Sequence, residues 1–148
     1  MWLRTVMESL RRLVMKRRGK KYRGLRGVGQ RWERLAERHL KKAGYRIRDR
    51  NVRMKVGEID IVAEEKGVLC FIEVKGRSSL AFGAPAEAIT LEKQRRLYRA
   101  AEIYLQRERL RDSICRFDVV AILEEGRGRT VEILRDAFRG PVPARRRR

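Results

Sequence analysis

The sequence predicts an α/β fold with a mixed central sheet flanked by helices, in the order helix, three strands, helix, two strands. Three observations predict it. Beyond the basic N-terminal stretch, two segments carry apolar residues at helical spacing, and five shorter runs are rich in β-branched and aromatic residues. Glycine-bearing or polar turns punctuate them. A chain of 148 residues suits one domain with a real core, and no internal repeat is evident.

The first firm helix is expected over about 29–43, where Trp32, Leu35, Ala36, His39, Leu40 and Ala43 form an apolar stripe. Gly44 is placed to end it, because glycine enters the left-handed conformation past a helix C-terminus without strain. Glu33 lies one step round from Trp32, at the stripe's edge. It suits either a surface ion pair with arginines such as Arg34 and Arg38 or a carboxylate aimed at the sheet. His39, the only histidine, reads as a packed helix residue, since no serine or cysteine nucleophile motif accompanies it.

A strand follows over about 45–53. The runs 57–62 and 68–75 then read as two strands joined by Glu64-Glu65-Lys66-Gly67. Residues 76–85 read as a loop, basic at Arg77. A second helix is expected over about 86–108, with Thr90 as a candidate N-cap and Leu97, Tyr98, Ala101, Tyr104 and Leu105 as its stripe. Two further strands are expected at 117–123 and 131–134, with Gly126 to Gly128 between them.

The hairpin carries the candidate chemistry. If Lys66 and Gly67 form a two-residue turn, partners across it have numbers adding to 133, so Asp60 faces Glu73 and Glu58 faces Lys75. Two carboxylates brought together on a mostly apolar hairpin repel one another, and a divalent cation relieves that repulsion. The alternative is a solvated sheet face, which Asp60 and Glu58 fit because Ile59, Ile61 and Ala63 alternate on the other side. Glu73 fits it less well, since the run before it is apolar on both faces, as in a central strand. A carboxylate there is partly desolvated and needs a partner or a metal.

Charge divides the chain. Residues 1–27 carry ten basic side chains against Glu8 alone, and residues 139–148 carry five arginines and no acid. Out of a formal net charge of +20, the intervening 28–138 hold only +6. The expected organisation is a basic N-terminal extension and linker (1–27), one domain (28–138) and a basic C-terminal tail (139–148). Such tails attract polyanions, nucleic acid foremost, by counterion release. An anionic membrane surface or a solubility role is the alternative. Trp2, Leu3, Val6, Met7, Leu10, Leu13 and Val14 recur at helical spacing over 1–18, so a basic amphipathic helix or an ill-ordered extension is expected there. At the start of the second helix, Lys93, Gln94, Arg95 and Arg96 either meet phosphate or form an ordinary solvated helix face. Cys70 and Cys115 make neither a disulfide framework nor a zinc site. No run approaches the roughly 20 apolar residues of a membrane span, and arginines interrupt any secretory signal, so a cytoplasmic protein is expected.

Several ordered motifs at compatible spacing carry a resemblance. Gly29-Gln30-Arg31-Trp32-Glu33, Arg50-Asn51, Gly57-Glu58-Ile59-Asp60, Phe71-Ile72-Glu73-Val74-Lys75, Gly83-Ala84-Pro85-Ala86-Glu87-Ala88-Ile89 and Arg116-Phe117-Asp118-Val119-Val120 together resemble the YraN family over roughly 27–138. These bacterial proteins are related to archaeal Holliday junction resolvases. The resemblance implies a restriction-endonuclease-like αβββαβ core of the PD-(D/E)XK superfamily and a nuclease-like domain over 28–138. It implies Asp60 and Glu73 as metal ligands, Lys75 as partner of the attacking water, and Glu33 as the additional acid of resolvase-like members. Trp32 departs from the small residue expected beside Glu33.

The chemistry follows. Magnesium or manganese would take oxygens from Asp60, Glu73 and the Val74 carbonyl, with phosphate and water completing the shell. Arg77, Lys93, Gln94 and Arg96 would grip phosphates. The expected activity is metal-dependent hydrolysis of a DNA phosphodiester, with branched or single-stranded DNA as candidate substrates. The alternative is a nucleic-acid-binding module without catalysis. The resemblance also implies a homodimer.

Overall fold

In the computed structural model, residues 25–78 and 89–139 are described. The expected amphipathic helix at 1–18, most of the 76–85 loop, the motif at 83–88 and the tail from residue 140 lie outside the described residues. The elements are helix α1 (Leu25–Lys42), strands β1 (Arg46–Met54), β2 (Gly57–Glu65) and β3 (Val68–Ser78), helix α2 (Leu91–Arg107), and strands β4 (Cys115–Glu125) and β5 (Gly128–Phe138). The five strands form one sheet in sequential order. β3 and β4 run parallel and the other neighbours antiparallel, so the sheet is mixed as expected. A parallel pair needs a long crossover, and α2 lies within it. The architecture is consistent with the restriction-endonuclease-like core.

Two apolar layers cover the sheet. Leu35, Ala36 and Leu40 of α1 pack with Tyr45, Ile61, Ala63, Cys70, Ile72, Val120 and Ile122. Leu97, Ala100, Ala101 and Tyr104 of α2 pack with Val52, Ile59, Val62, Leu69, Phe71, Phe117, Val119, Leu134 and Phe138. The β3 run is apolar on both faces because it lies between these layers, as its sequence predicts. Gly44 ends α1 with a φ of 95°. Thr90 caps α2, its hydroxyl accepting the Lys93 N–H at 3.1 Å. Several boundaries shift outward from the sequence expectation: α1 starts at Leu25, β3 continues through Ser78 where a loop is expected, and β4 and β5 are longer; α2 is instead shorter, beginning at Leu91 after the Thr90 cap.

The hairpin turn is as expected. Lys66 and Gly67 have φ values of 49° and 77°, the paired left-handed conformation of a two-residue turn whose twist matches the strands. The ladder runs from Glu65↔Val68 to Ile61↔Ile72 in the expected register. One expectation is corrected. Ile59 does not share a face with Ile61 and Ala63: Ile59 packs under α2, whereas Ile61 and Ala63 pack under α1. The strict period of two breaks at Asp60, opposite a kink in β1 where Asn51 has a φ of 49°.

Trp32 fits because of Gly76. A side chain built at Gly76 would overlap the Trp32 indole, so the ring lies directly on the β3 backbone, one residue beyond Lys75. On β4, beside Ile72 of β3, fully buried Asp118 sits where the β4–β5 register slips. It accepts from the Tyr45 hydroxyl at 2.9 Å, the Asp136 N–H at 2.9 Å and Arg116 Nε at 2.9 Å. Arg116 also bonds Glu65, which Arg135 grips at 2.7 Å. The Arg116-Phe117-Asp118-Val119-Val120 motif is thereby a closure of the fold. β1 lies at an edge of the sheet, and its arginines are paired: Arg46 and Arg48 with Glu64, Arg50 with Glu37, Arg53 with Glu58.

Two outcomes are expected. Gly76→Ala must displace the indole or the strand, so a loss of about 1–3 kcal/mol is expected in urea denaturation. Hydrogen bonds from Arg135 foremost, and from Arg116, hold the Glu65 carboxyl down to about 2. Its folded value lies below the unfolded one of roughly 4.3, so its stabilisation is full above pH 4.3 and drains as pH falls toward 2. Acid denaturation of Glu65→Gln should therefore show a shallower loss across that window than the wild type.

Candidate active site

The sequence expectation brings Asp60 opposite Glu73, and the backbone goes one step further. Strand pairing between β2 and β3 is recorded as far as Ile61↔Ile72. Beyond it, the Asp60 carboxylate enters the gap between the strands, and Oδ2 accepts the Val74 N–H at 2.8 Å. A strand N–H left by the ladder needs an acceptor, and this side chain supplies it. Asp60 is thereby aimed at β3. Glu58 does not meet Lys75; its carboxylate lies 3.4 Å from Arg53 Nε, across the β1–β2 pair.

Glu73 shares a face with Phe71 and turns toward α2. It is 4% exposed. Its Oε1 lies 3.3 Å from Lys75 Nζ and 3.4 Å from Lys93 Nζ, so two ammonium groups bracket one oxygen. Its Oε2 is buried and meets no hydrogen-bond donor among the described residues. An orphaned buried carboxylate oxygen is costly, and it marks a position where a further positive group fits.

Asp60 feels the same crowding. Burial, and then the Glu73 charge, push its carboxyl up to about 7, against the opposing Val74 hydrogen bond. Glu33 adds to the repulsion and Lys93 relieves it. Glu33 is itself raised, by burial first and further by Glu58 and Glu73, while the Asn51 side chain lowers it by hydrogen bonding. The helix and the two strands thus converge Glu33, Asp60 and Glu73 on one locality. Among the described residues no three such side chains come close enough to hold an ion by themselves. Two carboxylates fit a magnesium-type ion, which keeps several waters and takes phosphate oxygens.

The other expected residues are differently placed. Gln94 Nε2 donates to the Ile89 carbonyl at 3.0 Å, tying down the chain entering α2. Arg96 pairs with Glu92 one turn away. The backbone of Arg77 pairs with Leu123 in the sheet, and its side chain lies outside the described residues. On the α1 side a cleft of about 220 Å³ opens on Asp60, lined by Gln30, Glu33, Arg34, Glu37, Arg50 and Asn51 among others. Sequence reasoning did not single out Asn51 or Gln30 as site residues. A signal for Asn51 was available: asparagine is depleted in strands and tolerates the left-handed conformation.

Residues 32–122 match the uncharacterised protein family UPF0102. The chain is 44% identical over 115 residues to a UPF0102 protein of Caldicellulosiruptor saccharolyticus, covering 76% of this chain and 98% of that one. It is 46% identical over 114 residues to a UPF0102 protein of Symbiobacterium thermophilum, covering 76% and 97%. A relative from Desulfosudis oleivorans is 47% identical over 110 residues, covering 74% and 88%.

Asp60→Asn keeps an oxygen for the Val74 N–H and removes the half-buried charge that repels the buried Glu73 carboxylate. In chelator at neutral pH it should stabilise the fold by about 1–3 kcal/mol, read as a rise in the thermal midpoint.

Proposed function

The chain belongs to the UPF0102 (YraN) family, and from that premise we propose a metal-dependent nuclease-like protein that hydrolyses phosphodiester bonds in DNA. One observation supports this above the others. Buried Glu73 has one oxygen bracketed by two lysines and the other without a donor, beside Asp60, whose charge it repels. A structural salt bridge would use both oxygens, as Glu65 does with Arg116 and Arg135.

Asp60, Glu73 and the Val74 carbonyl are the groups that would hold magnesium or manganese. The bound ion supplies a polarised phosphate and a water of lowered pKa. The chain's own residues do the rest. Lys75 is 29% exposed, so its ammonium reaches both Glu73 and incoming solvent. There it orients the attacking water and offsets negative charge growing on the phosphate. Glu33 borders the cleft on the other side of Asp60, placed to orient a second polar group of the substrate. The basic stretches 1–27 and 139–148 add sequence-independent attraction for a polyanion.

The test is a screen of labelled single-stranded, duplex, flap and four-way-junction DNA with magnesium or manganese. Asp60→Ala and Glu73→Ala should abolish cleavage while binding holds or tightens, since each removes a negative charge from the interface. Cleavage that survives both changes would sink the assignment. Salt-steep binding with no cleavage by the wild type would instead leave a nucleic-acid-binding module without catalysis.

A further inference from the structure

We propose that Lys93 is a second positioning lysine of this site, pinning Glu73 through Oε1 together with Lys75 and setting how strongly the carboxylate pair takes a divalent cation. The inference rests on the nuclease reading and assigns a residue beyond the Asp60, Glu73 and Lys75 constellation.

Lys93 is built into place. The Thr90 hydroxyl holds its backbone N–H at 3.1 Å, and Gln94 next to it bonds the Ile89 carbonyl at 3.0 Å. The first turn of α2 is therefore fixed against the chain that enters it. From there the Lys93 ammonium reaches Glu73 Oε1 at 3.4 Å, within 0.1 Å of the separation that Lys75 keeps from the same atom at 3.3 Å. The two lysines come from different elements, β3 and α2. Bracketed in this way, Oε1 is committed, and Oε2 is the oxygen left over. The positive charge of Lys93 also acts on Asp60. A lysine that only gripped phosphate would have no reason to face a buried carboxylate. One that faces it both fixes the carboxylate and competes with any cation for its charge.

Removing that competitor strengthens cation binding, and the effect is measurable without substrate. Manganese binding to the full-length protein is followed by electron paramagnetic resonance and calorimetry in the wild type, Lys93→Met, Lys93→Arg and Glu73→Gln. Lys93→Met should bind manganese about tenfold tighter, as expected for one unit charge a few ångströms from the ion. It should also lose cleavage rate. Lys93→Arg should return both toward wild type, and Glu73→Gln should abolish binding. A Lys93→Met protein that is folded by circular dichroism yet binds no tighter would overturn the proposal. So would weakening confined to DNA affinity, with its salt slope reduced by about one, which marks a simple phosphate contact. If the wild type itself binds no manganese, the nuclease reading fails and takes this inference with it. A double-mutant cycle of Lys93→Met with Glu73→Gln in chelator then still reports whether the two side chains are coupled.

Discussion

The architecture turns on the repulsion between Asp60 and Glu73. Two unit charges about 5 Å apart repel by about 3 kcal/mol at an effective dielectric of 20, and here Glu73 is buried and Asp60 half-buried. A fold tolerates this only if other contacts outweigh it. The two apolar layers do so: each buried Leu, Ile, Phe or Val contributes about 1.5–3 kcal/mol, and such residues lie on both sides of β3. The local accommodations are all directed at the same pair. The Val74 N–H turns to Asp60, and Lys75 and Lys93 turn to Glu73.

The distortion of the sheet follows from the same constraint. A regular β2 would place Asp60 on one face and leave it there. The kink at Asn51 and the change of face between Ile59 and Ile61 let the chain deliver Asp60 toward the gap between β2 and β3. The position then borders the α1-side cleft and also feels Lys93 from α2. Irregular strand geometry of this kind concentrates near functional sites, because it re-aims a side chain without unravelling the ladder.

Much of this was legible in the chain. The Lys66-Gly67 turn is a local matter of backbone chemistry, so the register across 61–72 could be read from two residues. The apolar run before Glu73 announced a strand covered on both faces, and Gly44 and Thr90 announced helix ends. What escaped was long-range. The face reversal at Asp60 depends on a partner strand's kink, which periodicity within β2 cannot encode. The fit of Trp32 depends on a missing side chain at Gly76, more than forty positions away. Lys93 looked like a phosphate contact because a helix start favours one, whereas its closest ionic partner is a carboxylate on another element. Asp118 stood only in a motif that carries the family resemblance, and its three donors show a buried closure.

The arginine row on β1 has a consequence for how the molecule keeps to itself. An open outer strand is a template onto which a foreign strand can add. Here Arg46, Arg48, Arg50 and Arg53 are fastened to Glu64, Glu37 and Glu58, and the backbone between them is bent at Asn51. A straight, uncharged newcomer would find that border crowded by guanidinium groups and out of line halfway along. The border therefore resists zippering into larger aggregates.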